Sequence, residues 1–253
     1  MLVKEPDITS RKVHLVVLFT LWLLGLVLFP IVATLQINPS MPVSIVWDFG
    51  NYFGFSATAL MLILFAYTSQ PRTFPIFNGK FFVNLHKHLG YLSLLFVLAH
   101  IIVLVLYEPL LLEHLKPSAP YYMLSGLLAF LASLVLVLAS VPVVKKKIWA
   151  RHIDFKNIHV LLSVMVMVLI FIHILGSKFY VNSPLKEWIW AIVFSTCFLL
   201  PRMSRSQVFR KLVVNPQLRK VKKSGTWSIH VVMSIGVVLF LVFAYIAVMA
   251  NLK

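Results

Sequence analysis

The stretch "NLHKHLGYLSLLFVLAH", Asn84 to His100, carries three histidines, and its last dozen residues are otherwise apolar enough to lie in a lipid bilayer. An ionisable side chain in hydrocarbon is costly unless it is paired, so an intramembrane histidine points to function and demands a partner. At about 100° per residue, the 14 positions between His86 and His100 leave them only about 40° apart around a helix and about 21 Å apart along it. They therefore share one face. His88 is turned about 160° from His86 and reads as an ordinary packing or edge residue.

The surrounding chain fits this membrane reading. Its 253 residues are 60% hydrophobic and 12% charged, with mean hydropathy +0.94, outside the usual range for a soluble domain. The single Cys197 excludes an internal disulfide framework and reads as packing. Apolar segments lie near Val13–Leu35, Val46–Tyr67, Leu85–Tyr107, Tyr121–Val144, Ile158–Leu175, Trp188–Leu200 and Trp227–Met249. Most reach the roughly 20 residues that cross about 30 Å of hydrocarbon. The expected fold is an all-α polytopic bundle of about seven transmembrane helices, or six if the short Trp188 segment does not cross.

The net charge of +16 reflects topology rather than nucleic-acid binding. With the N-terminus cytoplasmic, 19 of the 23 lysines and arginines fall inside, leaving Lys116, Lys178, Lys186 and Lys253 outside. This is a strong positive-inside bias and favours an odd number of spans. The first apolar segment is too long for a signal-peptide core and has no small-residue cleavage site after it, so it reads as a retained helix. The expected organisation is an N-terminal segment and first helix at 1–45, a core at 46–201, a basic cytoplasmic linker at 202–226 and a C-terminal membrane helix at 227–253. No internal repeat stands out.

A second stretch, "HVLLSVMVMVLIFIH", places His159 and His173 the same 14 positions apart. One span separates it from the first, so the two helices run parallel. Their N-terminal histidines then lie at one depth and their C-terminal histidines at another, as two facing pairs. A zinc site gathers three or four ligands in one sphere. Separated His/His pairs suit haem, whose porphyrin supplies the iron's other four ligands. Gly90 follows His86 by four and Ser163 follows His159 by four, small residues that leave room for a flat macrocycle one turn from each ligand. Phe96, Met165, Met167 and Phe171 fall between the two levels. His14, His114, His152 and His230 fall at span ends or in loops, where an imidazole needs no special role.

With His86-Lys87-His88-Leu89-Gly90 before His100, and His159 before His173, the sequence resembles the ferric reductase-like transmembrane domain over roughly Val46–Leu200. This superfamily includes ferric reductases, NADPH oxidases and the haem-binding subunit of periplasmic methionine sulfoxide reductase. The resemblance implies two haem b groups, one held by His86 and His159 on the cytoplasmic side and one by His100 and His173 on the outer side. It also implies electron transfer from a cytoplasmic flavoprotein, or alternatively a membrane quinol, to an external acceptor such as ferric chelate or a periplasmic reductase. Lys80, Lys87, Arg151, Lys156 and Lys178 are the cations nearest the expected propionates. The chain departs from the fused reductases after Leu200, where a basic linker and one apolar segment replace the flavin and nicotinamide domains. No glycine-rich dinucleotide fingerprint is present, so flavin and NAD(P)H are expected only on a partner. The expected location is a cell membrane, plasma or bacterial inner. A histidine-containing transporter or proton channel is the rival class; it has little support, because no carboxylate lies well inside a span.

Overall fold

The computed structural model describes residues 8–37, 43–66, 79–203 and 227–251. Eight α-helices and one 3-10 helix occur among them, and no strand. In chain order they are α1 (Ile8–Gln36), α2 (Ile45–Ala66), α3 (Gly79–Tyr107), the 3-10 helix (Pro109–Leu115), α4 (Tyr121–Ser140), α5 (Pro142–Ile148), α6 (His152–Ser177), α7 (Pro184–Met203) and α8 (Trp227–Asn251). Helices satisfy their own backbone hydrogen bonds, which lets long apolar sequences such as these cross lipid.

Six helices are long and apolar enough to span a membrane, in the segments Val16–Gln36, Ile45–Ala66, Phe81–Tyr107, Tyr121–Ser140, His152–Ser177 and Trp227–Met249. The expected Trp188–Leu200 segment lies inside α7, which at 20 residues is as long as α4. Lys186, Glu187 and Arg202 lower its apolar content and keep it outside the six. Most of the basic linker, at 204–226, lies outside the described residues.

The bundle turns apolar side chains in both directions. On α8, Met233, Val237, Leu241 and Tyr245 recur every fourth residue and are all more than half exposed, while Ile235, Leu239 and Phe243 are fully buried. The exposed stripe is the face a bilayer covers. On the inner side, α7 is tied to α1 through a short polar chain. Pro30 lies inside α1, the Thr34 hydroxyl donates to the Pro30 carbonyl at 2.7 Å, and the buried Trp190 indole donates to Thr34 at 2.9 Å. The threonine hydroxyl thus finds its acceptor one turn back in its own helix, and its oxygen is left to accept from Trp190.

Two helix pairings dominate: α3 packs chiefly on α2, and α6 chiefly on α4. The two histidine-bearing helices, α3 and α6, are not among the closely packed pairs. They face each other across a gap, and that gap positions the site.

Candidate functional site

His86 and His159 stand in the first halves of α3 and α6, with ring centroids 6.2 Å apart and planes tilted by 51°. At the other level, His173 is close enough to His100 to act on it electrostatically. Meeting at both levels requires α3 and α6 to run parallel, as the sequence spacing predicts. Two metal–imidazole bonds of about 2 Å each, with half a ring on either side, put trans imidazole centres roughly 6 Å apart. The His86/His159 separation matches that dimension. Among the described residues, no three or more His, Cys, Asp or Glu side chains converge into a metal-holding group, so these histidines stand as pairs.

The C-terminal pair is oriented by backbone. His100 Nδ1 lies 2.9 Å from the Gly50 carbonyl on α2, and His173 Nδ1 lies 2.8 Å from the Tyr122 carbonyl on α4. A carbonyl can only accept, so each Nδ1 carries the proton and each Nε2 keeps its lone pair. That is the tautomer a ligating histidine needs. Gly50 and Tyr122 are missing from the sequence reading because a backbone acceptor leaves no mark in residue identity.

Space is available at the N-terminal pair. A Cβ built on Gly90 would meet nothing within 4 Å, although Gly90 is partly buried. Ser163 is small, and its hydroxyl is taken up by the His159 carbonyl. A narrow apolar cleft opens beside His159, lined also by Trp149, Phe155 and Leu162. Trp149 Nε1 is buried there and has no hydrogen-bond partner among the described residues, leaving a donor ready for a ligand acceptor.

The other side chains divide. His88 faces α8, its Nδ1 3.3 Å from the Ser228 hydroxyl, in keeping with its turn away from the ligand face. Phe96 packs on Phe53 of α2 and Phe171 on Phe194 of α7. Met167 is buried, but Met165 is 43% exposed. Arg151 pairs with Asp154 and Lys178 with Glu187, both at exposed positions. Lys87 and Lys156 are exposed, while the side chain of Lys80 lies outside the described residues.

One polar cluster was not anticipated. Asp48, in the first turn of α2, is 2% exposed and accepts a 2.6 Å hydrogen bond from the Tyr180 hydroxyl; buried Lys186 donates to the Tyr180 carbonyl at 2.7 Å. Burial, reinforced by the Asp48 carboxylate, raises the Tyr180 phenol above its ordinary range. The cluster ties the loop after α6 to the start of α2.

Six long apolar helices, with histidines at two levels of α3 and α6, define a multi-pass membrane protein. Residues 53–170 match the family described as ferric reductase like transmembrane component. This segment, a little under half of the chain, matches the ferric reductase-like transmembrane superfamily, which supports a membrane electron-transfer component; domains of that kind generally bind haem. The match contains His86, His100 and His159 and stops three residues before His173. No curated protein and no solved structure matches the chain.

Proposed function

We propose that this chain is a di-haem b-type membrane cytochrome that carries electrons from a cytoplasmic flavoprotein to an external acceptor such as ferric chelate. In this reading His86 and His159 hold an inner haem and His100 and His173 an outer one. The observation that carries it is the facing of His86 and His159 across α3 and α6, with His100 and His173 near enough to interact at a second level. Bound there, haem would supply reversible one-electron chemistry at a six-coordinate iron.

The chain's own residues do the remaining work. The Gly50 and Tyr122 carbonyls hold two imidazoles in the ligating tautomer. The open space beside Gly90 accommodates a flat group, and Trp149 Nε1 offers a donor to a propionate carboxylate. Neutral imidazole ligands avoid burying protein charge in lipid. The apolar exterior keeps water from the gap along the spans.

Orientation follows from charge, since the excess of lysine and arginine on the His86/His159 side favours the cytoplasm. In that orientation His86 and His159 would hold the haem on the side of electron entry, and His100 and His173 the one on the side of exit. Flavin and NAD(P)H belong to the donor protein.

Purified protein produced with haem supplied should give reduced-minus-oxidised b-type spectra and two haems per chain by pyridine haemochrome. Absence of bound b haem from folded protein would reject the proposal. His100→Ala or His173→Ala should each remove one haem and spare the other; retention of both would reject the pairing.

A further inference from the structure

The α2–α3 and α4–α6 pairs repeat one construction, offset by 72 or 73 positions. His86 and His100 correspond to His159 and His173, Gly50 to Tyr122, and Gly54 to Gly126. The repeat is one of construction rather than of sequence similarity, since even Gly50 and Tyr122, or Val103 and Gly176, differ in identity. What it preserves is geometry at the C-terminal histidines.

Each histidine there is held between a carbonyl and a glycine one helical turn apart. A Cβ on Gly54 would lie 3.0 Å from His100 Nδ1, and one on Gly126 would lie 2.6 Å from His173 Nδ1. Any side chain at either position must push the ring away from the 2.9 Å and 2.8 Å carbonyl contacts. The close approach of the helices is secured in complementary ways. In the first pair Gly50 makes room for Val103 and Leu104; in the second Gly176 makes room for Tyr122, whose Cβ would be 2.4 Å from an added Cβ. Gly50 corresponds to Tyr122 and Val103 to Gly176, so the small member has changed helix while the narrow gap persists. At the N-terminal pair the surroundings differ: His159 Nδ1 meets the Ser140 hydroxyl at 3.3 Å, and Gly90 faces open space.

We propose that Gly54 and Gly126 are positioning residues that hold His100 and His173 against the Gly50 and Tyr122 carbonyls and thereby lower the reduction potential of the metal site those histidines form. The inference rests on the haem reading above. An Nδ1–H donated to a strong acceptor raises the basicity of Nε2, and a more basic ligand favours the oxidised metal. Hydrogen bonding behind the ligand is one of the means by which a protein sets haem potential.

The test uses the full chain in membranes with haem supplied, comparing wild type, Gly54→Ala, Gly126→Ala and the control Gly25→Ala, where an added Cβ meets nothing within 4 Å. Redox titration and low-spin ferric EPR are read haem by haem. Each of the first two variants should raise the potential and shift the EPR signal of one haem, leaving the other as in wild type, and Gly25→Ala should move neither. Two wild-type haems with unchanged potentials and signals in both variants would overturn the inference while sparing the functional reading. A folded wild-type protein without haem would overturn the functional reading and the inference with it. If the variants do not accumulate, pulsed EPR of the wild type decides: the remote ligand nitrogens of at least one haem should be strongly hydrogen-bonded. Weakly hydrogen-bonded remote nitrogens at both haems would overturn the inference.

Discussion

The hydroxyl of Ser140, at the end of α4, lies 3.3 Å from Nδ1 of His159 on α6. The same hydroxyl donates to the Leu136 carbonyl at 2.7 Å. Its one proton is thereby committed, so towards His159 it acts as acceptor and Nδ1 supplies the hydrogen. His159 thus receives its tautomer from a side chain, where His100 and His173 receive theirs from backbone. Ser140→Ala removes this acceptor at a cost of about 0.5–1.5 kcal/mol, or roughly two- to tenfold in haem affinity at that level. Haem transfer from the variant to excess apomyoglobin should be faster for one haem only. Equal rates in variant and wild type would show that the contact does not hold the ligand.

Gly90 gives a steric test of where the inner group sits. Because a Cβ there meets nothing within 4 Å, Gly90→Ala should accumulate as wild type. Gly90→Leu would project further into the same open space and should lower haem content towards one per chain, with the His100/His173 spectrum intact. Full occupancy in Gly90→Leu would move the macrocycle away from this face.

His88 tests the helical-angle argument. Its contact with Ser228 on α8 makes it a packing residue, so His88→Ala should retain both haems while losing about 1 kcal/mol of stability through the broken hydrogen bond. Haem counting and thermal unfolding in detergent check the two halves. Loss of a haem from an otherwise folded variant would make His88 part of the ligand shell.

The histidine-bearing helices were legible because histidine in an apolar run is rare and its spacing converts directly into angle and depth. The facing of His86 and His159 needed nothing beyond 14-residue spacing and parallel helices. Gly54 and Gly126 were not legible: small residues are common wherever membrane helices touch, and only their distance to the imidazoles distinguishes them. Asp48 escaped notice because it occupies the first turn of its span and finds its partner Tyr180 132 positions later, a pairing that no local pattern announces.

That pairing yields a final prediction, independent of haem. Tyr180→Phe removes the hydroxyl that donates to the buried Asp48 carboxylate, and a hydrogen bond to a charged group is worth about 1.5–3 kcal/mol. The variant should unfold more readily in detergent and still bind its full haem complement, since Tyr180 touches none of the four histidines in its hydrogen bonding. The pH dependence has a definite sign. The folded state raises the phenol's pKa, so its contribution is fully present below the unfolded tyrosine value of about 10 and is lost only as pH rises through the higher folded value. From pH 6 to 9 the stability gap between wild type and Tyr180→Phe should therefore be flat as far as this phenol is concerned, and it should narrow in strong alkali. Thermal unfolding across that range checks both statements; equal stability at pH 7 would mean that the Asp48–Tyr180 bond does not fasten the loop after α6 to α2.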